Sequence, residues 1–173
     1  MGGVESGFQL ASFKIDSVVL DVFPSKQIIE NQGHIPASDW DVKYRFRTPM
    51  HFKEDDSYLC GVEVKVTLPF PDGMKPEEGY YAEPESGLIN LTAGITGSIK
   101  VVERGVPPET VKQIISIQVP TLLLPFLRGM VTSVLADAGF GSFIFPLVNM
   151  HKLAEQHSGQ SQIKEVEKIT SSS

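Results

Sequence analysis

Four histidines, one cysteine and a few acidic pairs are the residues of this 173-residue chain best suited to chemistry. His34, His51, His151 and His157 are scattered, and none has a second histidine one helical turn away, the spacing that turns two imidazoles toward one metal ion. Gly139-Phe140-Gly141-Ser142 lacks the Gly-x-Ser-x-Gly spacing of a nucleophile elbow. Gly94-Ile95-Thr96-Gly97-Ser98 has the glycines of a phosphate loop without its terminal Gly-Lys-Ser/Thr, and falls within a strand pattern. Asp55-Asp56 and Glu77-Glu78 lie in loops, where charge is solvated, and Cys60 opens a strand with no basic neighbour to favour its thiolate. The pattern is that of a non-enzyme that needs no metal or cofactor. Apolar side chains in loops are the more informative feature. Trp40, Phe70, Phe140, Phe143, Phe145, Leu147 and Met150 fall between or just outside regular elements. Loops face water, so aromatics and methionine there either tuck beneath a core or line an apolar groove. Gathered at the ends of one sheet, they are expected to form a groove for extended apolar peptide. The same residues could instead close over a small ligand.

The elements that must position these residues fall into two halves. Strands come first. Phe13-Lys14-Ile15-Asp16 begins an alternation that runs to Leu20, and Val42, Tyr44 and Phe46 alternate with Lys43, Arg45 and Arg47. Val62, Val64, Val66 and Leu68 alternate with Glu63, Lys65 and Thr67 until Pro69-Phe70-Pro71-Asp72-Gly73 stops the run. A fourth strand is expected over 86–103, with Gly94 and Gly97 marking a bend. Helices follow. Pro107-Pro108-Glu109 starts a short one ending near Ser116; Pro120 opens the main helix, which Gly139 stops. A further short helix is expected around 148–155. These elements make one α+β domain over 1–156, followed by a polar, flexible tail over 157–173 in which Ile163–Ile169 could form a transient helix.

The main helix carries more apolar surface than one sheet can cover. At about 100° per residue, its Leu, Phe, Met and Val positions from Leu122 to Leu135 span roughly 220°, against the ~100° stripe of an ordinary amphipathic helix. A thick core would absorb the excess. Self-association would bury it twice over, and we expect an interface through Phe126, Leu127, Met130, Val131 and Val134.

Composition narrows the setting. Hydrophobic residues make up 41% and charged residues 21%, and 15 Lys+Arg against 21 Asp+Glu leave a net charge of -6. That balance disfavours nucleic acid as a partner. A single cysteine provides no disulfide framework, and the N-terminal residues lack both the basic and the apolar regions of a signal peptide. The expected setting is cytoplasmic, without membrane insertion, and the sequon Asn90-Leu91-Thr92 is then coincidental.

Pro120-Thr121-Leu122-Leu123-Leu124-Pro125-Phe126-Leu127-Arg128 resembles the P-x-L-L-F-P-[YF]-A-R pattern that opens the long helix of the SecB family of export chaperones. The likeness continues through Thr132-Ser133, Gly139-Phe140 and Pro146-Leu147-Val148-Asn149-Met150 to Leu153. Upstream, Tyr80-Tyr81-Ala82-Glu83, Gly87-Leu88-Ile89, Phe8-Gln9-Leu10, Asp21 and Trp40 are similar to the family's strand motifs. The resemblance implies a four-stranded antiparallel sheet with a long and a short helix, assembled as a dimer of dimers. It implies an ATP-independent holdase for unfolded preproteins, with a client groove along the loop residues named above. It also implies contact with the SecA export ATPase through Asp21 and Glu83. Gly129 and Gly141 depart from the family pattern, and Lys164 and Lys168 interrupt a tail that the family keeps strongly acidic. A SecB-like chaperone dedicated to a narrow client, such as an antitoxin, is the alternative.

Overall fold

The cleanest alternation in the sequence becomes the centre of the sheet. The computed structural model describes residues 7–23, 26–30, 35–70, 87–158 and 162–167. Its strands are β1 (Phe8–Val22), β2 (Asp41–Phe46), β3 (Met50–Phe52), β4 (Ser57–Leu68), β5 (Ile89–Val101) and β6 (Lys164–Val166). They form one sheet in the order β1-β5-β4-β3-β6, and β2 also pairs with β4. Val62, Val64, Val66 and Leu68 of β4 stand directly opposite Ile95, Ala93, Leu91 and Ile89 of β5. All eight are buried. Period-two patterning thus puts one row from each strand on the same face.

The four strands expected from sequence are present, but the sheet has six. The additions, β3 and β6, have three residues each, too few for alternation to register. β6 also corrects the helix expected around Ile163–Ile169: Lys164–Val166 is extended and pairs parallel with Met50–Phe52. A sheet edge supplies the backbone partners that an isolated short helix would lack.

β1 is longer than expected because it is bulged twice. Its register with β5 shifts between Leu10 and Ser12 and again between Ile15 and Ser17. Each extra residue resets the parity, so Leu10, Phe13, Ile15, Val18 and Leu20 all lie opposite residues of one β5 parity. The second bulge leaves Asp16 outside the ladder. Its carboxylate meets the Arg47 guanidinium, with Arg47 Nη2 2.9 Å from Asp16 Oδ1 and 3.5 Å from Glu63 Oε2. Arg47 holds the Asp16 carboxyl below its ordinary pKa. A side chain at Gly94 would collide with Arg47 and Asp16, so this glycine makes the cross-sheet ion pair sterically possible.

The helical layer also differs from expectation. A short α1 spans Lys26–Glu30; α2 (Pro108–Gln113) then continues through a π-helical turn (Ile114–Gln118) into α3 (Val119–Asp137). Pro120 does not separate two helices. The wider turn absorbs the prolyl ring, and Thr121 Oγ1 donates to the Ile117 carbonyl at 2.7 Å. The resulting 30-residue helix has the length and composition to cross a bilayer, yet half of its apolar window is buried within the fold. It behaves as a core helix, with Leu123, Leu124, Leu127, Val131 and Leu135 buried.

Candidate functional site

The end of α3 aims the aromatic run. Gly139 adopts φ 96°, a left-handed conformation that favours glycine. Its N–H donates to the Ala136 carbonyl at 3.0 Å, and the Phe140 N–H reaches the Leu135 carbonyl at 2.7 Å. This pair of bonds is a Schellman cap. It turns the chain back along the helix, carrying residues 140–149 over the start of β2. Asn149 then caps the next helix, α4 (Met150–Ser158), by accepting from the Lys152 N–H at 2.9 Å.

Four expected groove residues meet there. The Trp40 ring lies 5.0 Å from Phe143 at 68° and 6.3 Å from Phe140 at 77°. Phe143 in turn lies 4.9 Å from Phe145 at 74°. These edge-to-face contacts are the geometry aromatic quadrupoles prefer. Trp40, Phe143 and Phe145 are only 7%, 3% and 8% exposed, whereas Phe140 is half-buried. The rings therefore pack on one another rather than lining an open groove. Ile144 and Leu147 of the same segment point outward, and Leu147 is fully exposed.

Two residues that sequence reasoning missed belong to this neighbourhood: Arg128, which touches the cluster, and Tyr44, close enough to feel the Arg128 charge. Arg128 stacks its guanidinium 5.0 Å from the Phe145 centroid and donates to the Pro146 carbonyl at 3.3 Å. Tyr44 brings a buried hydroxyl whose pKa is pushed up by burial. Its signal was its parity with Val42 and Phe46; for Arg128, it was its place one helical face away from the apolar arc. The Tyr44 hydroxyl and Trp40 Nε1 are both buried without hydrogen-bond partners among the described residues. Such groups carry a desolvation penalty that a polar ligand atom would relieve.

The remaining expected residues lie elsewhere. Phe70 packs edge-to-face on Phe23, with ring centroids 5.5 Å apart. The Met150 side chain and Glu83 lie outside the described residues, while Asp21 is exposed near the end of β1, opposite Asn90. Leu127 and Val131, expected at an interface between copies, are fully buried inside the chain's own core. They are thereby occupied and have no surface to offer a second copy. Met130 and Val134 are half-buried. Leu122 and Phe126 remain 62% and 52% exposed. Phe126 packs 4.6 Å from Phe13 of β1, beside the exposed Leu10, Ile15 and Val18. The uncovered apolar surface is thus a flank shared by helix and edge strand.

Groups with metal or nucleophile chemistry have settled roles here. Among the described residues, no three His, Cys, Asp or Glu side chains cluster as metal ligands. His151 pairs one turn along α4 with Glu155 at 3.3 Å, an exposed contact. Cys60 is buried, and desolvation pushes its thiol up to about 12.

A sheet-and-helix protein with a buried aromatic cluster is the class that this architecture defines. The family described as preprotein translocase subunit SecB matches residues 27–161, and the chain belongs to that family. A protein-export protein SecB of Thioalkalivibrio sulfidiphilus is 27% identical over 159 residues, covering 89% of this chain and 83% of the relative. One from Desulfotalea psychrophila is 34% identical over 109 residues, covering 63% of this chain and 62% of the relative. In three dimensions the chain is similar to a SecB-like chaperone of Mycobacterium tuberculosis, solved with a peptide from an antitoxin. That match has a TM-score of 0.57 at 8% identity, over 82% of this chain and 91% of the other.

Proposed function

We propose that the chain is a non-enzymatic, ATP-independent holdase that binds unfolded preproteins and keeps them competent for Sec-dependent export from the cytoplasm. The observation that carries the reading is the segment after Gly139. It packs Phe140 and Phe143 against Trp40, and Phe145 against Phe143, while leaving Ile144 and Leu147 exposed. In this reading the exposed pair makes first contact with an apolar stretch of client. Lifting the segment then opens the aromatic cluster, with Met150 and Phe70 extending the groove. The unpartnered Trp40 and Tyr44 groups would bond the client's main chain, which is present in every unfolded sequence.

Assembly into a homotetramer through the Leu122, Phe126 and β1 flank would set several grooves on one particle. A long client would then bind by avidity rather than through one tight pocket. Asp21 and Glu83 are the proposed contacts with the SecA ATPase. A second reading is a chaperone dedicated to one small client. The fold's similarity to a chaperone solved with an antitoxin peptide favours it, as does a tail segment that is folded back on the sheet.

The test is aggregation of a chemically denatured, slowly folding secretory protein diluted with the chain in the absence of nucleotide. Suppression saturating near one assembly per client is expected, and the doubly substituted Ile144→Asp, Leu147→Asp chain should need several-fold more protein. No suppression at large excess would overturn the general holdase and leave the dedicated client in the lead.

A further inference from the structure

The outer edge of the sheet is occupied by the chain's own tail. β6 is the one strand, among those described, that pairs in parallel. Lys164 N–H donates to the Pro49 carbonyl at 2.8 Å, and Met50, His51 and Phe52 then match Lys164, Glu165 and Val166. Beyond this short ladder, Ile163 packs part-buried against the core and Lys53 holds the tail, its ammonium reaching both Glu165 and Glu167, the latter at 3.3 Å. All three charged side chains are well exposed. Such contacts are weak and sensitive to salt.

β6 also walls a recess on each face of the sheet. On one face, Ile163 and Glu165 bound a cleft of about 690 Å³ with His51, Tyr58 and Val111. On the other, Val166 and Glu167 bound a cleft of about 600 Å³ with Phe52 and Leu59. An edge with side-chain recesses on both faces is what an added strand requires, because its successive residues point to opposite sides. Without β6, the β3 edge would continue the outer edge of β2, which pairs only with β4 among the described strands. The two would offer one run of backbone over 41–52.

We propose that β6 is a displaceable strap occupying an extended-peptide site on the β3 edge, and that an unfolded client strand takes its place. The inference rests on the holdase reading above. The site selects an extended segment with an apolar residue for the Phe52 and Leu59 recess and a carboxylate within reach of Lys53. The tail satisfies both requirements through Val166, Glu165 and Glu167.

The test loosens the strap without altering the edge. In the full chain, Glu165→Lys with Glu167→Lys places cations against Lys53; adding Lys53→Glu restores attraction. Amide exchange over 50–52 and 164–166 reports docking, and half-saturation for a chemically denatured secretory protein reports client binding. The double variant should exchange at least tenfold faster and bind client at least threefold more tightly, with both effects reversed in the triple variant. Val166→Pro, which removes a strand N–H and the apolar anchor, should act like the double variant. A strap that is released while client affinity stays unchanged or weakens overturns the proposal. So does a strand that stays protected in every variant, since it would be a fixed part of the sheet. An unsubstituted chain that binds no client defeats the holdase reading itself, whereas equal binding with the strap docked or released defeats only the strap.

Discussion

The two edges of this sheet solve the same problem in opposite ways. β1 runs for 15 residues, pairs only with β5 among the described strands, and exposes Leu10, Ile15, Val18 and Val19. β3 runs for three residues and is covered by β6 under a pair of surface ion contacts. An unpaired edge invites association, and proteins blunt it with charge, brevity or a cover. The β3 edge uses all three. β1 uses almost none, and Leu122 and Phe126 extend its apolar surface. An apolar edge of that length suits lasting burial against a second copy, because the driving force grows with area and is little affected by salt. A short, ion-held cover suits exchange.

Substitution on the long edge should have the largest effect. Leu122→Asp with Phe126→Asp is expected to reduce the proposed homotetramer to smaller species in size-exclusion chromatography with light scattering, while the far-ultraviolet spectrum is kept. An unchanged mass would make that flank ordinary surface and remove the contrast between the edges. Leu127→Ala, one residue beyond Phe126, should instead cost about 2–5 kcal/mol of stability in urea unfolding, because it leaves a cavity in a packed core. A cost below about 1 kcal/mol would return Leu127 to the interface.

Smaller effects separate the edges further. Gly94→Ala should cost about 0.5–1 kcal/mol, because the flexible Arg47 and Asp16 ends can swing aside and only their part-exposed ion pair is lost. Stability equal to the unsubstituted chain would mean that the bulge needs no anchor. Raising ionic strength toward ~1 M, where the screening length is about 3 Å, should accelerate amide exchange in β6 and leave β1 unchanged. Equal responses would erase the distinction. The smallest effect concerns Asp16. Its pKa is depressed in the folded chain, so its stabilising contribution is present above the ordinary aspartate value and is lost as pH falls through the folded one. Asp16→Asn should therefore be less stable than the unsubstituted chain at pH 7, and the gap should close below about pH 4. A gap independent of pH would show that the ion pair does not anchor the bulge.

Legibility in the sequence followed the length and regularity of each pattern. β4 could be placed from Val62 to Leu68 because four β-branched or leucine positions keep strict alternation, and its burial followed. β1 was only partly legible, since bulges at Ala11 and Asp16 break the parity that a periodic reading depends on. Pro120 was misread as a boundary because a π-helical turn accommodates what a regular helix would not. At the candidate site, Trp40, Phe140, Phe143 and Phe145 could be grouped from their types and places in loops, but exposure is a tertiary property. Nothing in the sequence indicated that these rings would cover one another while Ile144 and Leu147 face water. Arg128 and Tyr44 were overlooked because a charged and a polar group do not register in a search for apolar loops.

Cys60 gives the molecule an internal clock. It is the chain's only cysteine, set in the central strand, 2% exposed, with its thiol pushed up to about 12. An electrophile in neutral solution can therefore reach a reactive sulfur only when the middle of the sheet separates. The rate of thiol labelling, at reagent concentrations where labelling outpaces reclosing, then counts core openings without an introduced cysteine. Run with and without a bound unfolded chain, the same count would tell whether holding another protein open loosens the holder.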